Sequence, residues 1–232
     1  MIGVNVVGFK NSGKTTTAVE LCRELSGRGL KVAGAKFADC RFDREDSDTG
    51  RLGQHCQAVV GLSPHESMVV WPQPRYLADL LPLLSCDVLV VEGGKSLGWL
   101  PRVLMVSSAE DLDELTPELA LASCGSFEVE GKARPGSISE LADIVQEKGF
   151  ILPGLDCGEC GFDTCAGLGA RIVAGQASLD NCKASTGEVK VTVGGRQVGL
   201  NHFTAQLLRN TVMGFLSGLK GFAPGPVTIE LE

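Results

Sequence analysis

The sequence IGVNVVGFKNSGKT, residues 2–15, contains the pattern from which the architecture of this chain can be worked out. Its first half, Ile2–Val7, is a short apolar run typical of a buried strand. Its second half, Gly8–Thr15, matches the pattern G-x-x-x-x-G-K-S/T. An amphipathic helix is predicted directly after it, over Thr15–Arg28. A strand, this loop and a helix in that order predict a phosphate-binding loop.

The glycine loop is predicted to bind the polyphosphate of a nucleotide. Its backbone N–H groups form a concave anion site at the N-terminus of the helix. Lys14 is expected to reach the β- and γ-phosphates, and Thr15 is expected to hold Mg²⁺. Two interpretations of Lys10 stay open, a solvated side chain or one that reaches the nucleotide of a partner. The residues predicted to bind the nucleotide are Gly8, Lys10, Asn11, Ser12, Gly13, Lys14, Thr15 and Thr16.

A second apolar run, Asp87–Val91, ends at the carboxylate of Glu92. Ligands of an open α/β sheet bind at the carboxyl ends of its strands, where a Mg²⁺ site beside a phosphate loop needs negative charge. We therefore predict that Glu92 holds Mg²⁺ or orients the attacking water. Lys14 and Glu92 are then the candidate catalytic residues of a weak NTPase. A glutamate that merely ends a strand is the alternative.

Up to about residue 150, apolar strands alternate with amphipathic helices, which predicts an α/β fold with a parallel sheet flanked by helices. We expect strands at Ile2–Val7, Leu30–Lys36, Asp87–Val91, Val103–Val106 and Leu119–Ala122. We expect helices at Thr15–Arg28, Thr49–Val60, Tyr76–Leu84 (interrupted by Pro82) and Pro135–Lys148. The second of these helices is predicted to bury the stripe Leu52, His55, Cys56 and Val59.

The loop GFKNSGKTT and the strand VLVVEGGK, residues 88–95, resemble the MobB family, the molybdopterin-guanine dinucleotide biosynthesis protein B family. Asp48-Thr49, with Arg51 two residues on, matches an Asp-Ser/Thr pair of that family. The resemblance covers about residues 1–148. It implies a P-loop GTPase fold, usually dimeric, that assists the attachment of GMP to molybdopterin. The guanine-reading motif N-K-x-D is absent, so a preference for GTP over ATP is implied by the resemblance alone.

Two departures from the MobB pattern concern the substrate. The aromatic residue that follows V-E-G in the family is replaced by Gly94, and the segment 36–43 has no histidine where family members often carry several. This segment and its neighbour carry Asp39, Asp43 and Asp46 instead. These residues are expected either to sense Mg²⁺ or the γ-phosphate or to form a solvated acidic loop.

The second chemical motif is a cluster of four cysteines, Cys157-x2-Cys160-x4-Cys165-x16-Cys182. Four thiolates complete a [4Fe–4S] site. Zinc ribbons usually contain two C-x-x-C pairs and this chain has one, but zinc and metal-free redox thiols both stay open. Residues 152–182 resemble the small four-cysteine iron–sulfur domain of electron-transfer subunits and corrinoid proteins of anaerobes, which implies one [4Fe–4S] cluster.

The last part of the chain has the pattern of a short α+β tail. Strand-forming residues from Thr186 to Val193 meet the turn signal Gly194-Gly195, which predicts a hairpin. Asn201 is predicted to cap a helix over Phe203–Leu219 whose apolar residues are buried, and a last strand is expected at Val227–Leu231. We expect three units, a P-loop domain (1–150), an iron–sulfur segment (151–185) and the tail (186–232).

The amino-acid composition of the chain limits the classes of partner that it is expected to bind. The chain has 21 Lys and Arg against 28 Asp and Glu, a net charge of −7. Broad binding to nucleic acid or to anionic membranes needs a basic surface, so neither is expected. No apolar run approaches the ~18 residues of a membrane span, and the sequence MIGVNVVGF lacks the basic region of a signal peptide. We expect a cytoplasmic protein.

Three functions stay open at this point. The first is a MobB-like, GTP-binding accessory protein of molybdenum or tungsten cofactor assembly, which carries an iron–sulfur cluster and binds an assembly enzyme. The second is a nucleotide-dependent electron donor or maturation NTPase for a metalloenzyme. The third is a non-enzymatic iron–sulfur scaffold or sensor, against which the intact sequence Gly13-Lys14-Thr15 argues.

Overall fold

The computed structural model describes residues 1–223 and 225–229. Its strands are β1 (Ile2–Gly8), β2 (Val32–Lys36), β3 (Val59–Leu62), β4 (Ser67–Val70), β5 (Val88–Glu92), β6 (Arg102–Val106), β7 (Ala120–Gly125), β8 (Val191–Val193) and β9 (Arg196–Val198). Its α-helices are α1 (Lys14–Gly27), α2 (Asp48–Gly53), α3 (Leu77–Leu80), α4 (Leu112–Leu115), α5 (Ile138–Lys148), α6 (Cys165–Val173), α7 (Lys183–Thr186) and α8 (His202–Ser217). Short 3₁₀ turns occupy Leu81–Leu83, Pro117–Leu119 and Leu179–Asn181.

Five strands form one parallel sheet in the order β2-β5-β1-β6-β7. The central strand β1 is fully apolar where it contacts the flanking helices, and Val4 and Val6 are 0% exposed. Because all five strands run in one direction, their carboxyl ends meet at one edge of the sheet. The register places Lys36 of β2 opposite Glu92 of β5 at that edge. The predicted parallel sheet is confirmed.

Helices α1 and α5 cover one face of the sheet. Leu21 and Leu25 of α1 and Leu141 and Val145 of α5 are almost completely buried there, as a 3.6-residue apolar period predicts. Ser137 caps the start of α5 by accepting a hydrogen bond from the Glu140 N–H. The opposite face is covered by α3 and by the chain that follows the sheet.

The predicted helix over Thr49–Val60 is wrong beyond its first turns. Helix α2 ends at Gly53, and Val59–Leu62 forms an antiparallel hairpin with β4. The β-branched pair Val59-Val60 favours a strand, and the tertiary structure leaves this side of the chain uncovered. The predicted apolar stripe is therefore exposed at Leu52, His55 and Cys56.

Two further predictions need correction. The stretch Tyr76–Leu84 forms only the four-residue α3 and a 3₁₀ turn at Pro82, because proline has no N–H for a continuous helix. No strand is present at residues 227–229, the described part of the predicted strand Val227–Leu231, and Leu231 lies outside the described residues.

The tail contains the predicted hairpin β8-β9 and the predicted helix α8. Asn201 caps α8, since its side chain accepts a hydrogen bond from the Thr204 N–H at 2.9 Å. The expectation that the apolar side of this helix is buried is wrong. Phe203 and Phe215 are 71% and 70% exposed, and α8 has no buried residue within the described part of the chain.

The cysteine segment packs against the P-loop domain through α6. Leu168 of α6 is 1% exposed and lies in one cluster with Phe150 and Leu152, which precede the cysteines. Gly169 lies against Leu119, where an added Cβ would come within 2.8 Å of the leucine side chain. In the described residues, no helix has the length and apolar character that a membrane span requires.

Candidate nucleotide and cysteine sites

The loop between β1 and α1 has the backbone shape of an anion site. Gly13 has φ +88° and Asn11 has φ +65°, and these left-handed residues turn the chain into α1. A Cβ at Gly8 would lie 2.6 Å from both the Met105 carbonyl oxygen and Ser12 Oγ. Position 8 therefore requires glycine because of its close packing, and position 13 requires it because of its left-handed backbone conformation.

Backbone N–H groups are available at the start of α1. Gly13 has no side chain that could cap the helix, and the first turn contains no acidic residue. The N–H of Thr17 bonds to the Gly13 carbonyl at 3.0 Å, whereas the preceding N–H groups have no carbonyl one turn earlier. Their partial positive charge favours an anion at this position.

Lys14 lies inside the loop, where its Nζ donates to the carbonyl oxygen of Phe9. The pKa of Lys14 is lowered, chiefly by burial and further by Lys36 and Lys95, while the nearby Glu92 opposes the shift. Three lysine ammonium groups, those of Lys14, Lys36 and Lys95, therefore lie near one another at this edge of the sheet. Such a cluster attracts polyphosphate, since incoming negative charge relieves the repulsion between the lysines.

Glu92 stands at the end of β5, as predicted, and its side chain is only 12% exposed. It accepts a hydrogen bond from Lys36 Nζ at 2.5 Å. Sequence analysis missed Lys36 as a site residue. The signal was available, because Lys36 ends the predicted second strand and parallel strands end at a common edge.

Lys95 is the second site residue that the sequence analysis missed. Its Nζ lies 3.4 Å from the centroid of the Phe9 ring and 2.8 Å from Glu114 Oε2. The first contact is a cation–π interaction with the phosphate loop itself. Lys95 is part of the strand-end sequence VLVVEGGK, which contained the signal.

The other predicted nucleotide-binding residues line the same loop. Lys10, Asn11, Thr15 and Thr16 are exposed there, and Ser12 is half-buried. The exposure of Lys10 leaves both interpretations of that residue open. Among the described residues, Ser12 Oγ is buried without a hydrogen-bond partner, so this hydroxyl can turn towards a ligand.

The acidic segment and the Asp48-Thr49 pair adjoin the N-terminus of α2. Ser47 caps this helix and donates to Asp43 Oδ1 at 2.8 Å. Hydrogen bonds from Ser47 and then Thr49 lower the pKa of Asp43, and Asp46 pairs with Arg44 at 2.6 Å. These contacts organise the segment internally. A role for Asp39, Asp43 and Asp46 in sensing the nucleotide stays a prediction.

Gly94, the departure from the family pattern, faces an aromatic ring supplied by a neighbouring strand end. Gly94 has φ +64°, and an added Cβ would lie 2.9 Å from Cδ2 of Phe37. The N–H of Phe37 bonds to the Glu92 carbonyl at 2.9 Å. Phe37 therefore occupies the space beside the glycine.

The four clustered cysteines line one small cavity between the loop after Pro153 and helices α6 and α7. Cys182 is 6% exposed, and the other three thiols are half-buried. Burial is the main cause of the raised pKa of Cys165. Within the described residues, no group of three or more His, Cys, Asp or Glu side chains is arranged to hold a metal ion. The shared cavity nevertheless brings together four sulfur donors, the set that iron–sulfur clusters and zinc both prefer.

Three carboxylates lie in the cysteine loop, none of them lines the cavity, and two of them are engaged by backbone groups. Asp156 Oδ1 accepts from the Cys165 N–H at 2.6 Å, and Glu159 accepts from the His202 N–H. Gly158 and Gly161 have φ +75° and +87°, which lets the loop turn tightly beside the thiols. The cavity therefore offers sulfur rather than oxygen ligands, and this donor set fits the predicted cluster.

Two family models match separate parts of the chain. Residues 3–121, half of the chain, match the family model described as "Molybdopterin guanine dinucleotide synthesis protein B". The chain belongs to the MobB family. Residues 152–184 match a second model, described as "Putative Fe-S cluster". The MobB domain thus contains the phosphate loop and Glu92, and the second match contains all four clustered cysteines.

Individual relatives agree with this division. A Methanocaldococcus jannaschii protein, "Putative molybdopterin-guanine dinucleotide biosynthesis adapter protein", is 25% identical over 99% of this chain and 96% of its own length. A Bacillus subtilis protein, "Probable molybdopterin-guanine dinucleotide biosynthesis adapter protein", is 32% identical over 48% of this chain and 69% of its own. The crystal structure of Bacillus subtilis MobB has a TM-score of 0.52 and 23% identity over 63% of this chain and 97% of its own, which shows the shared fold.

Proposed function

We propose that the chain is a nucleotide-binding adapter of molybdopterin-guanine dinucleotide cofactor assembly, for molybdenum or tungsten, that carries a [4Fe–4S] cluster. The observation that carries the proposal is the phosphate loop, with Lys14 inside it and Glu92 beside it at one edge of the sheet. Membership of the MobB family supports the assignment to cofactor assembly. The relatives named as adapters support a role exerted through a partner enzyme.

In this proposal the nucleotide is GTP, with ATP as the alternative. The N–H groups at the start of α1 bind the phosphates, and Lys14 exchanges the Phe9 carbonyl for a phosphate oxygen. Thr15 and Glu92 would hold Mg²⁺. When this ion is bound, it neutralises negative charge on the phosphates. Glu92 then leaves its ion pair with Lys36, and that lysine becomes available to the phosphates. Slow hydrolysis resets these loops and releases a partner.

The cluster would be held by Cys157, Cys160, Cys165 and Cys182, which line one cavity. A [4Fe–4S] group supplies one-electron redox chemistry at this position. The half-buried thiols and the packed Leu168 shield the cavity from solvent. We propose the P-loop domain (1–150), the cluster segment (151–185) and the tail (186–232) as the units of the chain.

The proposed assembly is a cytoplasmic homodimer that also binds a cofactor-assembly enzyme or a target metalloenzyme. The β3-β4 hairpin supports self-association, because one of its faces exposes a row of apolar side chains. Val60 and Leu62 of β3 and Val69 of β4, which is opposite Val60, lie on this face and are 62%, 81% and 48% exposed. An exposed apolar patch of this kind marks a surface for protein contact.

Anaerobic purification followed by iron, sulfide and zinc analysis tests the cluster, and calorimetric titration with Mg·GTP and Mg·ATP tests the nucleotide. We expect four iron and four sulfide per chain, on the stoichiometry of a [4Fe–4S] centre, together with measurable binding of at least one nucleotide. One zinc per chain without sulfide would contradict the cluster. A protein that binds neither nucleotide would contradict the adapter mechanism.

A second candidate function is a nucleotide-dependent electron donor to a metalloenzyme. It is favoured by one observation, namely that the chain between β5 and β6 contacts both the phosphate loop and the cysteine segment. In this case nucleotide turnover accompanies electron transfer out of the cluster. Electron delivery to an acceptor protein that stops when the nucleotide is withheld would support this candidate.

A further inference from the structure

The chain between β5 and β6, residues 93–101, connects the two sites directly. We name it the β5-β6 connection. It begins immediately after Glu92, where Gly93 has φ +84°, and its third residue, Lys95, lies over the ring of Phe9 in the phosphate loop at 3.4 Å. A nucleotide that recruits Lys95 or Glu92 therefore acts on the first residues of this connection.

The far end of the β5-β6 connection packs against the cysteine segment. Gly98 lies against α6, where an added Cβ would come within 2.8 Å of the Ala166 side chain. The Trp99 carbonyl accepts from the Leu152 N–H at 3.0 Å. The Trp99 ring covers Gly154, where an added Cβ would lie 2.9 Å from Cδ1. These three contacts pack the connection closely against the cysteine segment.

Two buried polar side chains hold the middle of the connection from inside the sheet. Asn5, 0% exposed, donates from Nδ2 to the Gly94 carbonyl at 3.1 Å. Arg102, 2% exposed and opposite Asn5 in the strand register, donates from Nη2 to the carbonyls of Lys95 and Leu97 at 2.5 and 3.3 Å. Carbonyl groups on both sides of the connection's turn are thus tied to the central strands.

The charge of Arg102 makes this attachment strong. Its Nη1 donates to the Leu115 carbonyl at 2.6 Å, and within the described residues it forms no ion pair with a carboxylate. Burial lowers the pKa of Arg102. The nearby Glu118 opposes this shift without forming an ion pair within the described residues. A buried charge that lacks an ion pair depends on its hydrogen bonds, so the carbonyls of the connection cannot leave the guanidinium without a large free-energy cost. Because the Lys95 and Leu97 carbonyls share the Nη2 group of Arg102, we expect a displacement at Lys95 to move Arg102 and Leu97 with it.

We propose that Arg102 is a positioning residue for both sites, which holds the β5-β6 connection as one rigid element so that nucleotide binding and the redox state of the cysteine-bound cluster influence each other. This inference rests on the proposed function, since it needs a nucleotide at Lys14 and a cluster at the four cysteines. It goes beyond that function by naming the route between them.

Thermodynamic linkage provides the test, because coupling makes the nucleotide affinity depend on the redox state of the cluster. The full chain is purified anaerobically with its cluster, and the Kd of a non-hydrolysable GTP analogue with Mg²⁺ is measured for oxidised and for dithionite-reduced protein. We expect the two Kd values to differ by about fivefold or more, the lower end of typical couplings.

Arg102→Met removes the charge and the three carbonyl contacts, and we expect it to bring the ratio of the two Kd values to about one, the value for zero coupling free energy. Arg102→Lys keeps the charge but lacks the planar fork that reaches several carbonyls at once. We therefore expect the ratio of the two Kd values to move towards one in this variant as well. It replaces the methionine variant if that variant does not fold. Arg23→Met, at an exposed position of α1, is the matched control and keeps the wild-type ratio.

Trp99 provides a second readout that needs no cluster. The chain has two tryptophans, so Trp71→Phe leaves Trp99 as the single emitter in cluster-free protein. We expect its emission to change when the GTP analogue binds, and this change to disappear when Arg102→Lys is added.

The possible failures are distinguishable. Absence of nucleotide binding or of the cluster is seen directly in the Kd and in the iron content, and it overturns the proposed function. Wild-type protein with both ligands but equal Kd values in the two redox states overturns the coupling and leaves the proposed function intact. An unchanged ratio in Arg102→Met or Arg102→Lys overturns the role of Arg102.

Discussion

At the scale of single residues, the proposed nucleotide site depends on two positions. One of them requires glycine and the other requires lysine. Gly8 leaves room for the turn of the phosphate loop against β6, and Lys14 supplies the ammonium group at its centre. Both residues were predicted from the sequence, because the G-x-x-x-x-G-K-S/T pattern specifies them by chemistry. Lys36 was not predicted, since its ion pair with Glu92 requires β2 and β5 to be neighbours in the sheet. Lys95 was not predicted either, since its contacts are with Phe9 and Glu114, which lie far from it in the sequence.

We predict that Lys14→Ala weakens binding of Mg·GTP by about 100-fold or more, which corresponds to roughly 2.8 kcal/mol. The charge-assisted hydrogen bonds of the Lys14 ammonium group to the phosphates are lost, and the other lysine of the loop, Lys10, is exposed to solvent. Isothermal titration calorimetry measures the change. Lys148→Ala removes an equal charge from an exposed position at the end of α5 and is expected to bind as wild type. Equal affinity of the two variants would refute the site assignment.

We predict that Gly8→Ala destabilises the folded chain by about 1–3 kcal/mol, as overpacking of a filled site does. The added Cβ would lie 2.6 Å from the Met105 carbonyl oxygen, which belongs to β6 and cannot move aside. Urea unfolding gives the free energy. Gly27→Ala is the matched control, since nothing lies within 4 Å of an added Cβ at the end of α1. A stability loss shared by both variants would contradict the packing argument.

At the scale of elements, success and failure of the sequence predictions have a physical pattern. The predictions of helices α1 and α5 are confirmed, because the apolar side of each helix packs against the hydrophobic core. The segment Thr49–Val60 has the same period, but three residues of its stripe, Leu52, His55 and Cys56, are exposed, and its end forms a strand instead. An apolar period indicates which residues a helix could bury, but tertiary contacts decide whether those residues are buried.

The β5-β6 connection shows a second limit of prediction from sequence. The sequence analysis predicts no role for Arg102, whereas in the fold it donates to three backbone carbonyls. Such a role depends on carbonyl groups of residues several positions away. Residue type and spacing do not reveal the direction of a carbonyl.

We predict that Cys160→Ala abolishes assembly of the [4Fe–4S] cluster and leaves nucleotide affinity within about twofold of that of cluster-free wild type. One of four ligands is lost, while the phosphate loop is formed by a different unit of the chain. Iron and sulfide analysis and EPR of the reduced protein measure the first effect, and calorimetry the second. The control is Cys56→Ala, which removes an exposed cysteine outside the cavity. A cluster that persists in Cys160→Ala would show that other residues hold it.

At the scale of the whole molecule, apolar surface is distributed unevenly. The β3-β4 hairpin and α8 expose large apolar side chains, whereas the central strands β1, β5 and β6 are almost completely buried. The sequence composition cannot distinguish these classes, because a valine or leucine has the same hydropathy in each. The distinction follows from the fold, which leaves β3 and β4 as a separate two-stranded sheet.

We predict that Leu62→Asp weakens self-association of the chain by at least about tenfold in the dimer dissociation constant, or roughly 1.4 kcal/mol. The aspartate would place a charge in the apolar row of the hairpin, where Leu62 is 81% exposed. Sedimentation equilibrium gives the dissociation constant. Leu83→Asp, at a 67% exposed leucine outside the hairpin, is the matched control. An identical dissociation constant in both variants, or a monomeric wild type, would contradict the hairpin as the dimer surface.

The order of the elements along the chain has a consequence for biosynthesis. All five strands of the parallel sheet lie within residues 2–125, and α5 ends at Lys148, before the first clustered cysteine. Because domains tend to fold from the N-terminus as they are translated, the platform that receives α6 can exist before Cys157 leaves the ribosome. If the chain carries the proposed cluster, metal delivery is the closing event of maturation, and a cell starved of iron would accumulate chains in which the part with the phosphate loop is already folded.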